Sequence, residues 1–250
     1  VILEIKFICL PYDEYKKVFE TFKKNNLKII NFFLSSLVKS FQYINLFKKN
    51  KLVAFLDIGL DRTSIIYFQN QKLDCLNSIP IGGNHISKDI SQIMKLSLEE
   101  SEKLKKTFNK SETDFSYSNT DSGDNIDLIK KIIGKNISID LLKKVILTRV
   151  EEIIELSFKN MTILKNINEQ QNLNLVLIGN GSKIFNKNSF QITDKYKFKE
   201  INFYGENSIE ICEAGLIFEK NFVEEDLQKN KKNLKKIGFF HRFFNIFGND

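Results

Sequence analysis

Three glycine-bearing turns follow or flank apolar runs in this chain: Gly59 after Leu52–Ile58, Gly82-Gly83 after Leu73–Ile79, and Gly179-Asn180-Gly181 after Leu173–Ile178. Where glycine removes the side chain, backbone N–H groups can approach an anion closely, and several such turns brought together would cradle a phosphate. Glycine after a strand is also the ordinary way to turn a chain, and each turn taken singly reads no further than that. Glu102 and Lys105 stand three apart in a helical stretch, a spacing that taken alone reads as a solvated pair. No residue reads as a general base. Cys9, Cys75 and Cys212 are odd in number and far apart, so they read as buried free thiols; with only His85 and His241 beside them, no set has zinc-ligand spacing.

The elements that must position these residues alternate. Ile2–Leu10 reads as a strand stopped by Pro11. Asp13 caps a helix over roughly 13–25 with Tyr15, Val18, Phe19 and Phe22 on one face. Leu27–Phe33 reads as a strand and Ser35–Phe47 as a helix, an order that predicts α/β architecture. Leu52–Ile58 is a near-continuous apolar run, as in a buried central strand. Ser64–Phe68 and Leu73–Ile79 follow as strands joined by a polar turn. A helix from about Asn84 places Ile86, Ile90, Ile93 and Met94 on one side, and Ser97 with Glu99 and Glu100 opens another in a capping-box pattern. Residues 109–125 are a polar loop. A long helix fits 138–164, with Leu142, Ile146, Val150, Ile153 and Leu156 inward; Leu173–Ile178 is a short buried strand and Ser208–Glu219 a last core helix.

The chain has 250 residues, 42% hydrophobic and 28% charged, which suits a folded body with a real core. Its net charge is +7, and six basic residues with no acidic one lie between Lys229 and Arg242. That run flanks an aromatic stripe. Wound as a helix, Ile237, Phe240, Phe243, Phe244 and Phe247 share one side, while Lys235, Lys236 and Arg242 mark the other. A basic flank beside an aromatic helix favours an anionic membrane surface; the same stripe would also suit docking on the body or on a partner. No base-stacking or groove-reading motif accompanies the charge, so nucleic acid is not an expected partner. No run reaches about 18 apolar residues, the length that spans a bilayer. The chain does not begin with Met and starts inside a strand-like run that is no signal peptide, which reads as an N-terminal truncation.

Several runs resemble the actin-like ATPase superfamily and, within it, the bacterial cell-division FtsA family. Asp57-Ile58-Gly59 with Thr63 is similar to a second phosphate loop of the form Asp-Ile-Gly-Gly-Gly-Thr-Thr-Asp. Ile79–Ile90 is similar to a Gly-Gly-Asn-His-(Ile/Val)-Thr-x-Asp-Ile segment, the most specific match. Glu99–Lys105 resembles a Glu-Ala-Glu-x-x-Lys helix, Arg149–Ile153 an Arg-Val-Glu-Glu-Ile run, and Val176–Ser182 an adenosine-side glycine loop. The resemblance implies an actin-like (ribonuclease-H-like) fold. Residues 1–50 would end a first lobe and 51–220 form a complete second lobe with a smaller subdomain at about 81–137; 221–233 would be a tether and 234–248 an amphipathic membrane-targeting helix.

The resemblance also implies roles by position. Gly59 and Thr63 would approach the β- and γ-phosphates of ATP, and Asp57 would face the water shell of Mg2+. Gly82 and Gly83 would line the cleft, Glu102 and Lys105 would meet the ribose and adenine, and Gly179, Gly181 and Ser182 would close over the nucleoside. The chain departs from the pattern at Leu60, Asp61, Arg62, Ser64 and Asn180; side chains at 60 and 61 would crowd a phosphate, and Asp61 would repel it. The implied function is an ATP-binding scaffold with at most weak ATPase activity. It would polymerise like actin and anchor FtsZ, among other division proteins, to the cytoplasmic face of the inner membrane at the division site. Two alternatives keep the fold: a degenerate scaffold without nucleotide, and an actin-like adaptor of pilus assembly, against which the Asn84-His85 run and the terminal helix argue.

Overall fold

The computed structural model describes residues 8–110, 138–159, 173–184, 198–204 and 208–220. The tether, the terminal helix, most of the 109–125 loop and residues 1–7 fall outside them. The chain divides into two compact units, Val1–Leu34 and Ser35–Asp250. In the first, α1 spans Tyr12–Lys24. Its N-cap is Pro11, whose carbonyl accepts from Tyr15 N at 3.1 Å; Asp13 lies inside the first turn rather than capping it, where its charge still favours the helix dipole. The expected apolar face carries contacts within the unit: the Tyr15 ring lies 5.8 Å from Phe19 and 5.1 Å from Phe32. Leu27–Phe33 is not a strand, and Ile8–Leu10 is irregular. An apolar run becomes a strand only with a ladder partner, and these segments pair with no strand among the described residues.

In the second unit, α2 (Ser35–Ile44) runs through a 3-10 turn, Asn45–Phe47, to β1 (Leu52–Ile58). Then come β2 (Thr63–Gln69), β3 (Lys72–Ile79), α3 (Gly83–Met94), α4 (Leu98–Lys110), α5 (Ile139–Phe158), β4 (Leu173–Ile178), β5 (Glu200–Phe203) and α6 (Ser208–Glu219). The five strands form one sheet in the order β3-β2-β1-β4-β5. The β1–β2–β3 meander is antiparallel, and β4 and β5 run parallel to β1. As expected of a central strand, β1 is buried along its whole length. The β2–β3 turn carries Asn70 and Gln71 at positive φ, the conformation a two-residue hairpin requires.

Alternation along the strands builds two cores. On one face Leu52, Ala54, Leu56, Ile58, Leu175 and Leu177 meet Ile86 and Ile90 of α3 and Leu142, Ile146, Val150 and Ile153 of α5. Ile93, expected on this side, is exposed, because the buried stripe of α3 runs through Ile86, Ile90 and Met94. On the other face lie α2 and α6, with an aromatic layer: Phe68 is 5.2 Å from Phe41 and 5.7 Å from Phe55, and Phe41 is 5.2 Å from Phe218. Such edge-to-face pairs add about 0.5–1.5 kcal/mol each beyond the area they bury. Ser97 and Glu100 form the expected capping box, with Ser97 N donating to Glu100 Oε2 at 3.0 Å and Glu100 N to Ser97 Oγ at 3.2 Å. No disulfide joins the three cysteines, and Cys9 and Cys212 are exposed rather than buried.

The turn between β1 and β2 docks on the start of α3. Gly59 N donates to Arg62 O at 2.9 Å and closes the turn; Gly83 N then donates to Gly59 O at 2.9 Å and Asn84 N to Leu60 O at 2.7 Å. The Asn84 side chain reinforces the junction by donating to Asp61 Oδ1 at 2.8 Å. Gly82 is what lets the two backbones meet: a Cβ there would fall 2.6 Å from Gly59 O and 2.7 Å from both Arg62 N and Leu60 O. At Gly83 the nearest atoms to a Cβ would be 3.6–3.8 Å away, ordinary contact. Gly82→Ala is therefore expected to cost about 1–3 kcal/mol or more in urea unfolding, as overpacking against fixed backbone does. Gly83→Ala should change stability by less than about 1 kcal/mol. Equal costs would contradict the docking described.

Candidate functional site

The three glycine turns do converge. β1 and β4 are parallel neighbours, so their C-terminal ends deliver Gly59 and the Gly179–Ser182 turn to the same edge of the sheet, and β3 returns antiparallel to bring Gly82-Gly83 beside them. A Cβ on Gly83 would stand 3.6 Å from Gly59 O, 3.7 Å from Lys105 Nζ and 3.8 Å from Gly181 Cα. One on Gly181 would meet Ile58 O at 2.7 Å and Gly59 O at 3.2 Å. Gly179 has φ +85, open to glycine and strained for other residues, and its missing Cβ makes room for Asp57 Oδ1.

Much of the polar chemistry at this edge is used within the protein. The four N–H groups that open α3 all have partners: Gly82 N donates to His85 Nδ1 at 3.2 Å, Gly83 N and Asn84 N to the β1–β2 turn, and His85 N to Gly82 O at 3.0 Å. Thr63 is buried, and its hydroxyl donates to Ile81 O at 2.7 Å. Ser182, also buried, donates its hydroxyl to Gly179 O at 2.6 Å, inside its own turn. The Asn84-His85 pair thus has a structural role, tying the third β-strand's exit to the β1–β2 turn.

On α4, Glu102 and Lys105 are joined to α3 through Ser87. Lys105 Nζ donates to Gly83 O at 2.8 Å, Ser87 Oγ at 2.9 Å and Glu102 Oε2 at 2.6 Å, which uses all three ammonium donors. Ser87 Oγ donates to Glu102 Oε2 at 2.5 Å. Burial alone would raise the Glu102 pKa; the hydrogen bonds from Lys105 and Ser87 and the charges of Lys105 and Lys106 outweigh it and hold the carboxyl below its ordinary range. This cluster places a cation beside Gly83 at the meeting point of the loops.

Two further groups were not singled out as site residues from sequence. Asp89, in the Gly-Gly-Asn-His run, takes a two-pronged contact from Arg149 of α5: Nε to Oδ2 at 2.5 Å and Nη2 to Oδ1 at 2.8 Å, while Nη1 reaches Glu152 at 2.5 Å. The bonds to Asp89 raise the arginine's pKa against the effect of burial. Two of the sequence runs that carry the resemblance therefore form one clamp between α3 and α5. The other group is Lys39 of α2, whose Nζ lies 2.6 Å from Asp57 Oδ2, with side-chain exposures of 8% and 7%. Lys39 is the only charged residue between Ile29 and Phe47. A lone charge in so long an uncharged run must find its countercharge elsewhere in the fold, and that was the available signal.

The pair decides how well magnesium fits at Asp57. Mg2+ binds through oxygen ligands at about 2.0–2.1 Å, or through its own ordered waters, and needs a carboxylate open to it. Here one Asp57 oxygen holds an ammonium group and the other lies against Gly179. The residues present do not fit a divalent ion at this carboxylate. Among the described residues, no group of three or more His, Cys, Asp and Glu side chains is placed to hold a metal.

The region that holds these loops is similar to known proteins. Residues 54–191 match the family model described as cell division protein FtsA. The cell-division protein FtsA of Bacillus subtilis strain 168 is 37% identical over 113 residues, 44% of this chain and 24% of that protein, so the aligned stretch spans about a quarter of that relative. In structure, the chain is similar to MreB5 of Spiroplasma citri bound to AMPPNP, with a TM-score of 0.61 and 14% identity over 88% of this chain and 68% of that one. The ADP-bound form of MreB5 aligns with the same TM-score and coverage at 15% identity. These structures share the actin-like α/β fold expected from the sequence. With a family model covering more than half of its length, the chain belongs to the FtsA family of cell-division proteins.

Proposed function

We propose that this chain is the nucleotide-facing and membrane-facing part of an actin-like division scaffold that tethers FtsZ to the cytoplasmic face of the membrane at the division site. The observation that carries the reading is the family match over residues 54–191, which includes each converging glycine turn and the Glu102–Lys105 helix. In this reading residues 1–50 end one lobe and 51–220 form the second, and the scaffold self-associates into actin-like polymers. The ligand of the glycine turns is an adenine nucleotide, with Gly59 nearest the phosphates, Gly82 and Gly83 lining the cleft, Glu102 and Lys105 toward the ribose and adenine, and Gly179, Gly181 and Ser182 over the nucleoside. The bound AMPPNP and ADP of the MreB5 structures support that choice of ligand.

The tether rests on sequence. Residues 234–247 join an aromatic stripe to a basic face, and among the described residues no helix is long and apolar enough to cross a membrane. A second reading, favoured by the internally bonded N–H groups of α3, is the same scaffold without nucleotide. Saturable micromolar binding of a fluorescent ATP analogue to the full-length protein would exclude it.

Deleting residues 234–247 removes Lys235, Lys236 and Arg242 along with the aromatic stripe. At roughly 1 kcal/mol per basic residue near an anionic surface, before any apolar contribution, binding to phosphatidylglycerol vesicles should fall at least about a hundredfold. Recruitment of FtsZ to the vesicles should be lost with it. Undiminished sedimentation with vesicles after the deletion would refute the tether.

A further inference from the structure

The buried Lys39–Asp57 pair has a consequence for what the cleft can bind. Asp57 is the penultimate residue of β1, on the sheet face toward α2, beside the turns of Gly59 and Gly179. Its Oδ2 is 2.6 Å from Lys39 Nζ, and its Oδ1 occupies the space left by the missing side chain at Gly179. Lys39 projects from a stretch of α2 in which Ser36, Leu37, Val38 and Ser40 are also buried, and its own side chain is only 8% exposed. A divalent cation approaching this carboxylate would meet a fixed positive charge already in contact with it, and like charges at such range repel strongly where water is excluded.

We propose that Lys39 is a built-in cation that takes the place of a divalent metal at Asp57, making charge neutralisation at this corner of the cleft independent of Mg2+. A lysine delivers a single positive charge on a tether that the fold has already ordered, and needs no dehydration of a metal. The proposal rests on reading Asp57 as the cleft carboxylate, and it leaves the nucleotide and membrane readings to stand or fall separately.

The test uses Mn2+ alone as the probe on the full-length protein, without nucleotide or vesicles, with free Mn2+ followed by electron paramagnetic resonance and the melting temperature recorded in parallel. Wild type should take up no Mn2+ attributable to this site. Lys39→Ala should take up one ion per chain and melt at a higher temperature with Mn2+ than without it. The Lys39→Met/Asp57→Asn double variant, which removes both charges and keeps the packing, should take up none. Wild-type uptake that disappears in the double variant would overturn the proposal, as would a folded Lys39→Ala protein that takes up no ion. If Lys39→Ala does not fold, wild type against the double variant decides: uptake lost in the double variant refutes the proposal, and no uptake by either sustains it.

Discussion

A carboxylate placed at the end of a fully buried strand is costly, and the cost is met here by one lysine. Taking an unpaired ion out of water costs several kcal/mol even after the protein relaxes. Lys39 and Asp57 neutralise each other at 2.6 Å, and in doing so fasten α2 to the end of β1. Because Oδ1 of the same carboxylate lies against Gly179, the contact extends to the turn after β4. The pair thus links a helix, the central strand and one of the glycine turns. A hydrophobic pair of equal volume could hold these elements as firmly. The charge pair also sets the electrostatics of the site.

The other glycine turns follow the same logic of internal satisfaction. The carbonyls of Gly59 and Leu60 take up the N–H groups of Gly83 and Asn84, so the positive end of α3 faces protein backbone. Lys105 satisfies its three donors with Gly83, Ser87 and Glu102. Leu60, Asp61 and Arg62, which depart from the glycine- and threonine-rich loop the family resemblance led one to expect, form the turn that α3 docks on, and Asp61 gains a partner in Asn84. Substitutions that look like losses for phosphate binding are here parts of a packed junction.

Much of this was readable from the sequence, for specific physical reasons. β1, β4 and α6 have the bounds their apolar patterns predict, because a continuous run between polar turns has few other readings. The capping box at Ser97 is a local device, complete within four residues, and appears as expected. That the glycine turns could meet was suggested by their repeated place beside apolar runs, and the sheet brings them to one edge. What escaped was non-local. Lys39 is marked by the uncharged run around it, but only the fold names Asp57 as its partner, and Arg149 meets Asp89 across sixty positions. Leu27–Phe33 has strand chemistry but pairs with no strand among the described residues. Gly82 and Gly83 are indistinguishable by type, and only the atoms around them separate the one that must stay glycine from its neighbour.

The central claim is that Lys39 and Asp57 act as one buried unit, and a double-mutant cycle in urea unfolding tests it most directly. Lys39→Met and Asp57→Asn should each cost about 3–5 kcal/mol, the price of leaving a buried charge unpaired. The double variant should cost less than the sum of the two by at least about 2 kcal/mol. Costs that add to within about 0.5 kcal/mol would show two independent residues and contradict the account.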